Sequence, residues 1–260
     1  MMLPLADTHV HLLAGLDDGP ATRDEAVSMC RLLYDQGVRH VSALAHQNET
    51  FPDVTPDIIR RAAQLLERDL AEAEIGLTIY PTAEVMIFPD LEAHLEADGL
   101  LTYNDMGRYL LIELPHDLYI DLRGTVAGLM RQGVRPVLAH PERTPEMLHR
   151  PGEIEDLIAM GCLVQVSARS FLRPRSPDDF RAIRSWFERG VVHLLCSDAH
   201  GVRRRAPRMA EAMDLLESWI GPVERARIAS DNGIAVFRGG IVNAPVPRPS
   251  LARKRFFQLW

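Results

Sequence analysis

Two short stretches near opposite ends of the chain carry chemistry-bearing residues at a telling spacing. They are Asp7-Thr8-His9-Val10-His11 and Ser197-Asp198-Ala199-His200. Each follows an apolar run and places metal-capable side chains two residues apart. On a β-strand, alternate side chains share one face, with Cα atoms about 6.5 Å apart. Two imidazoles so placed can converge on one ion, because nitrogen–metal bonds are only about 2.0–2.1 Å long. One H-x-H carries little weight. A matching pair at both ends, with acids and histidines closing the runs between, indicates a metal site.

Those intervening groups are His46 in Ala43-Leu-Ala-His46, Glu84 in Tyr80-Pro-Thr-Ala-Glu84, Glu113 in Leu110-Leu-Ile-Glu113, and His140 in Val137-Leu-Ala-His140. The mix of nitrogen and oxygen donors suits Zn, Mn or Fe better than Mg or Ca, which prefer oxygen. Glu84 has two oxygens and could bridge two ions. Asp17 and Asp18 follow the first H-x-H inside Leu16-Asp-Asp-Gly19, where a capped turn is the competing explanation. Arg143, in His140-Pro-Glu-Arg143, and Arg205 lie just beyond donor positions. Their guanidinium forks match phosphate oxygens. Arg203 and Arg204 read as solvated surface charges. Cations and arginines at one rim point to a phosphoester substrate.

The elements that must position these groups alternate along the chain. Apolar, β-branched runs predict strands at 38–45, 77–82, 109–114, 134–140, 162–167 and 191–197, with a first strand ending at His11 and Ile234–Phe237 as a possible last one. Between them, Thr22-Arg-Asp-Glu25 is a capping-box pattern opening a helix that stops near Gly37. Thr55-Pro56 opens a second helix reaching about Ala73, with proline in the tolerated first turn. Further helices are expected at 122–132, 153–160, 177–189 and 207–219. Repeated strand–helix units favour a parallel sheet, closed as a barrel or doubly wound. In a barrel, groups at the carboxyl ends of the strands meet at one rim.

At 260 residues the chain suits one large α/β domain. Its net charge of -7 argues against a general nucleic-acid surface, though not against a phosphorylated substrate. No signal-peptide pattern or spanning apolar run is apparent, so an integral membrane protein is not expected. Cys30, Cys162 and Cys196 lie on apolar-patterned segments and read as buried thiols of a reducing, cytoplasmic setting. Beyond about residue 242 the sequence becomes proline-rich, then basic and aromatic in Arg253-Lys-Arg-Phe-Phe257. The expected organisation is therefore a catalytic barrel over 1–242 and an extended tail over 243–260.

Three hydrolytic mechanisms can be weighed directly. An amidohydrolase site bridged by a carboxylated lysine is excluded, because Lys254 is the only lysine. A cysteine-dependent tyrosine phosphatase needs arginine six places after cysteine, and Cys162 and Cys196 each have it one place late (Arg169 and Arg203). The G-x-S-x-G elbow of serine hydrolases is absent.

The segments D-T-H-V-H-L-L-A-G-L-D-D-G, A-L-A-H-Q-N, A-E-V, L-L-I-E-L-P, P-V-L-A-H-P-E-R and C-S-D-A-H together resemble the PHP (polymerase and histidinol phosphatase) superfamily. More narrowly they resemble the metal-dependent protein-tyrosine phosphatases of bacterial capsule and exopolysaccharide gene clusters, the CpsB/YwqE type. The resemblance spans about Ala6 to Phe237. It implies a distorted (β/α)7 TIM-like barrel and two or three divalent ions, with Mn expected ahead of Fe or Zn. Carried onto this sequence, it implies one ion at His9, His11, Glu84 and Asp198. A second would sit between Glu84, Glu113 and His140, and a third at His46, His200 and Asp18. Arg143 and Arg205 would hold the phosphoryl group, and Asp198 or His200 would assist proton transfer. The implied substrate is a phosphotyrosine protein, a membrane-anchored bacterial tyrosine kinase. Small-molecule phosphoester hydrolysis of the histidinol-phosphatase kind, and a non-catalytic kinase-binding scaffold, are the alternatives. The chain departs from the family pattern at Ala45 and Gln47, where proline and a second histidine are usual.

Overall fold

The computed structural model describes residues 3–115 and 118–249. Seven parallel strands follow one another in chain order: β1 (Leu5–Asp7), β2 (Val38–Gln47), β3 (Thr78–Met86), β4 (Tyr109–Glu113), β5 (Arg135–Ala139), β6 (Leu163–Ser167) and β7 (Leu194–Cys196). The helices are α1 (Arg23–Asp35), α2 (Pro56–Glu72), α3 (Leu91–Glu96), α4 (Arg123–Arg131), α5 (Pro145–His149), α6 (Pro151–Ala159), α7 (Ala168–Leu172), α8 (Pro177–Arg189), α9 (Met209–Ala226) and α10 (Asn232–Phe237). The sheet curls until its ends meet. Past β1 and β7 the chain pairs Val10 with Ala199; His11 N donates to Ala199 O (3.0 Å), and Asp198 N to His9 O (2.9 Å). This is the expected distorted (β/α)7 barrel. Among the described residues no helix is long and apolar enough to cross a membrane.

Local chemistry fixes the helix starts. Thr22 accepts from Glu25 N at α1, Thr55 from Ile58 N at α2, and Ser176 from Asp179 N at α8. Each satisfies one of the backbone donors left free at a helix N-terminus. The capping box at α1 is only half formed, because the Glu25 carboxylate takes Ala21 N rather than Thr22 N. Buried apolar faces of the helices pack against the outside of the sheet, forming the larger core.

The barrel interior holds a second, smaller core. Inward residues recur with period two, as in Tyr109 and Leu111 on β4 and Val137 and Ala139 on β5, joined by Leu44, Tyr80, Leu163 and Leu194 from other strands. Two sequence expectations are corrected here. Ile234–Phe237 is not a strand but lies in helix α10, whose Val236 and Phe237 plug the amino-terminal end of the barrel. Phe237 stacks on Tyr80 with ring centroids 4.2 Å apart. A four-residue apolar run fits a strand and a buried helical turn equally, so periodicity could not separate them. The first strand ends at Asp7 rather than His11. Asp7 pairs with Val41 and His11 with Leu44, so four residues on one strand span three on the other. That bulge switches the parity: Ala6 faces the barrel interior, and so do His9 and His11.

Other boundaries moved less. β3 runs on to Met86 and so carries Glu84 within the strand, while α9 continues past Trp219 across a break at Gly221-Pro222. After Val242 the chain leaves the barrel and runs without regular structure along its surface. Asn232 exchanges hydrogen bonds with Asn243 (3.0 and 3.1 Å), and Arg248 N donates to Arg189 O (2.8 Å). The basic, aromatic segment 253–257 lies outside the described residues.

Helix α10 reaches the barrel because Gly233 lets it. A Cβ there would sit 2.7 Å from Ala6 Cβ and 3.0 Å from Thr8 Cγ2. Gly233→Ala is expected to destabilise by about 1–3 kcal/mol through overpacking. Phe237→Ala is expected to cost about 3–5 kcal/mol by emptying the plug. Urea denaturation of the two variants checks both. A stability unchanged in each would show that the plug does not support the barrel.

Candidate metal centre

At the carboxyl end of the barrel every predicted donor comes together. Glu84 stands at the centre. Its Oε2 lies 3.1 Å from His9 Nε2, 3.3 Å from His11 Nε2 and 3.3 Å from His46 Nδ1, while Oε1 lies 3.0 Å from His140 Nε2. Asp198 Oδ1 is 3.5 Å from His9 Nε2 and 3.7 Å from His200 Nδ1. Glu113 Oε1 is 3.6 Å from His140 Nε2, and Asp18 Oδ1 is 3.2 Å from His200 Nε2 and 3.6 Å from His46 Nε2. By proximity the donors group as His9–His11–Glu84, His9–His140–Asp198, His46–Glu84–Glu113 and His11–Asp18–His46–His200. His46 thus borders two groups, with Nε2 toward Asp18 and Nδ1 toward Glu84 and Glu113.

Backbone geometry aims the ligands. Strand alternation brings Glu84, Glu113 and His46 inward. His140 and Asp198 lie just past β5 and β7 with φ of 31° and 52°. Left-handed backbone is uncommon for residues with a Cβ, costs of order 1 kcal/mol or more, and clusters at functional sites. It turns both side chains back over the barrel mouth. Gly19 serves the same end, since a Cβ there would lie 2.9 Å from His11 Cβ. Its lack of one lets the Asp17-Asp18 turn rest on the histidine.

Partners behind the donors set their protonation. His9 Nδ1 is 2.9 Å from Gln165 Oε1, and the Gln165 amide donates to Thr8 Oγ1 (2.8 Å) and to the Tyr103 hydroxyl (3.0 Å). Gln165 therefore accepts from Nδ1–H, and His9 presents the lone pair of Nε2 to Glu84 and Asp198. Asp17 Oδ2 holds His11 Nδ1 in the same way (2.7 Å) and also accepts from His46 N (3.0 Å). The competing turn explanation holds too, because Asp17 Oδ1 accepts from Gly19 N (3.0 Å).

Two acceptors pointed at each other require a proton or a metal cation between them. Burial opposes charge on His11, yet Asp17 and Glu84 outweigh it and raise its pKa to about 10. Burial, reinforced by the Arg143 charge, lowers His140 to about 4, and burial also lowers His46 and His200. These rings stay neutral, as metal ligands must. Burial and the neighbouring Glu84 and Asp198 charges push Glu113 up to about 9. Burial also opposes ionisation of Asp198, but Arg143, His9 and Arg205 hold it well below the usual carboxylate range. His46 Nδ1, His200 Nε2 and Glu113 Oε2 are buried without a hydrogen bond. A cluster of buried carboxylates, neutral imidazoles and orphaned donor atoms fits divalent cations of the Zn, Mn or Fe class.

Both predicted arginines border this centre. Arg143 and Arg205 each donate to Asp198 Oδ2, the latter at 2.8 Å, so Oδ1 is left for the histidines. They line a cavity of about 450 Å³ that opens over the donors. Several wall residues carried no site assignment from the sequence: Glu142, Arg169, Ser170, Arg173 and Arg175; Arg204, read as a solvated charge, borders the cavity as well. Glu142 Oε1 accepts from Ser167 N (3.0 Å) and pins the turn into α7 that carries Arg169 and Arg173. Gln165 also went unremarked; its position two residues before the end of an inward-facing strand was the available signal. Gln47 takes no part in the donor set. It ties loops together, receiving Leu101 N (3.0 Å) and donating to Val54 O (3.2 Å).

Comparison with known proteins agrees with this geometry. A family model described as capsular polysaccharide synthesis, CpsB/CapC, matches residues 5–238. The chain is 30% identical to the tyrosine-protein phosphatase YwqE of Bacillus subtilis, over 97% of this chain and 99% of that protein. It is 27% identical to the tyrosine-protein phosphatase CpsB of Streptococcus pneumoniae, over 88% and 96%. A crystal structure from work on YwqE and CpsB, described as unique metal-dependent tyrosine phosphatases, superposes with a TM-score of 0.89 at 28% identity, covering 95% of this chain and 99% of that one. A dihydropyrimidinase from Brevibacillus agri shares the barrel alone (TM-score 0.55, 10% identity). With its family match spanning nearly all of the barrel, this chain belongs to the CpsB/CapC family of capsular polysaccharide synthesis proteins.

Proposed function

We infer that this chain is a metal-dependent protein-tyrosine phosphatase that acts in capsule or exopolysaccharide synthesis. One observation carries the reading: a single buried carboxylate, Glu84, lies within 3.0–3.3 Å of His9, His11, His46 and His140 beneath a cavity edged by Arg143 and Arg205. In this reading His9, His11, Glu84 and Asp198 hold one ion, and Glu84, Glu113 and His140 a second. His46, His200 and Asp18 hold a third. Manganese is the expected metal, with iron or zinc as substitutes. Bound divalent ions lower the pKa of water toward neutrality and offset charge on phosphoryl oxygens.

The chain's own residues do the rest. Arg143 and Arg205 neutralise the equatorial oxygens and fix the phosphoryl group by paired N–H donors. Their bonds to Asp198 Oδ2 keep that carboxylate ionised and aimed. His200, at the rim beside Asp18 and Asp198, is placed to move a proton. A tyrosine phenolate, with a pKa of about 10, leaves with little acid assistance. A cysteinyl-phosphate route finds no nucleophile, since Cys30, Cys162 and Cys196 are all buried. Burial pushes the Cys30 and Cys162 thiols up to about 12. The substrate proposed is a phosphotyrosine segment of a membrane-anchored bacterial tyrosine kinase, met in the cytoplasm by the barrel of residues 1–242. The surface-lying start of the tail leaves the barrel mouth clear.

Removing metal should abolish turnover of phosphotyrosine peptides and lower the melting temperature, because ions that bind only the folded chain stabilise it. Adding Mn back should restore both, and metal analysis should find about two to three ions per chain. Activity indifferent to chelation ends the metal-dependent reading.

His9→Ala should reduce kcat by about a hundredfold or more, since it removes a ligand. Arg143→Ala should chiefly raise KM, by about ten- to a hundredfold, as befits one charge-assisted contact of roughly 1.5–3 kcal/mol. Steady-state kinetics on a phosphotyrosine peptide and on a small phosphomonoester measure both effects. Preference for the small ester would replace the protein-phosphatase reading with the small-molecule one.

A further inference from the structure

Beside the catalytic cavity lies a second one, of about 310 Å³, whose wall is formed largely by arginines: Arg169, Arg173, Arg203, Arg204, Arg205 and Arg208. Its remaining lining is Ala168, Ala206 and Ser197, with no acidic side chain. Two separate elements deliver the charge. Arg169 and Arg173 come from α7 and the residue that ends it, and the others from the loop between β7 and α9. Arg205 is committed to Asp198 and Asp18, and Arg208 to Glu211 (2.8 Å). Among the described residues Arg169, Arg173, Arg203 and Arg204 make no ion pair.

That concentration is unusual for this chain, whose net charge is -7 and whose other arginines are commonly paired, as in Arg23–Asp69, Arg60–Asp105 and Arg189–Glu155. Like charges facing one cavity repel, and they gain most from an anion that several forks can share. Arg169, Arg173, Arg204 and Arg205 border both cavities, so the two are contiguous. An anion seated in the second cavity is therefore within reach of a chain whose phosphoryl group sits in the first. Guanidinium forks favour the tetrahedral, dianionic phosphoryl group over a single carboxylate, because it offers three oxygens to donors from different directions.

The geometry points to a second phosphoryl-binding site, which takes another phosphotyrosine of the same peptide while the first is in the catalytic cavity. This rests on the phosphatase reading above. It makes the enzyme selective for multiply phosphorylated segments, and it predicts that the first phosphates of a cluster are removed more readily than the last.

The test uses binding as well as turnover. Peptides with one or two non-hydrolysable phosphonate analogues of phosphotyrosine, separated by one to four residues, are titrated against the Mn-loaded full chain by fluorescence anisotropy. At one spacing or more, the peptide with two phosphonates should bind about tenfold more tightly than the peptide with one, and the advantage should shrink with salt. The Arg203→Ser/Arg208→Ser variant alters residues that border only the second cavity of the two. It should lose that advantage while binding the peptide with one phosphonate, and hydrolysing a singly phosphorylated one, like the unaltered chain. Equal affinity for the two peptides overturns the proposal, as does an advantage that survives the double substitution. Equal gain from a glutamate in place of the second phosphonate also overturns it, by showing a site for any anion. If the binding pattern holds but no phosphopeptide is hydrolysed, the second site stands and the catalytic reading falls.

Discussion

The structure depends on one electrostatic constraint: acids and imidazoles are packed into the mouth of a barrel, where all but Asp18 are largely withdrawn from water. Glu84 alone faces His9, His11, His46 and His140 at 3.0–3.3 Å. Uncompensated, such a cluster would cost several kcal/mol per buried charge. The chain meets the constraint from outside the cluster. Gln165 and Asp17 fix which ring nitrogens point inward, and Arg143 and Arg205 hold Asp198 ionised. What remains is a deficit of positive charge at the centre, of the kind divalent cations fill.

The fold serves that cluster in unequal parts. Period-two alternation brings Glu84, Glu113 and His46 inward with no special device. The first H-x-H needs the bulge after Asp7, without which His9 and His11 would face away from the axis. His140 and Asp198 need left-handed backbone beyond the strand ends. Among the donors, left-handed backbone thus falls on two that come from outside the regular ladder. The far end of the barrel is ordinary apolar packing.

This division explains what could be read from the sequence. Donor types, their positions at strand ends and the phosphate-matching arginines are local patterns, and all of them converge in space. The seven-strand architecture followed from alternation of strand and helix signals. What stayed hidden required distance: Gln165 matters only because its side chain reaches across the barrel interior to His9 and Thr8, and Arg169 and Arg173 only because α7 turns over the mouth. Arg203 and Arg204 are exposed, as a run of arginines suggests; what such a run does not say is which cavity they border. Ile234–Phe237 misled for a related reason. An apolar tetrapeptide does not reveal whether it extends a sheet or caps one, and only contact between Gly233 and Ala6 decides it.

Phe237 and its helix also determine traffic. With Tyr80, Tyr103 and Val236 they stopper the amino-terminal end, so the barrel is a cup rather than a tube. Whatever enters over Glu84 leaves by the same lip, past the guanidinium groups of Arg143 and Arg205 that edge it.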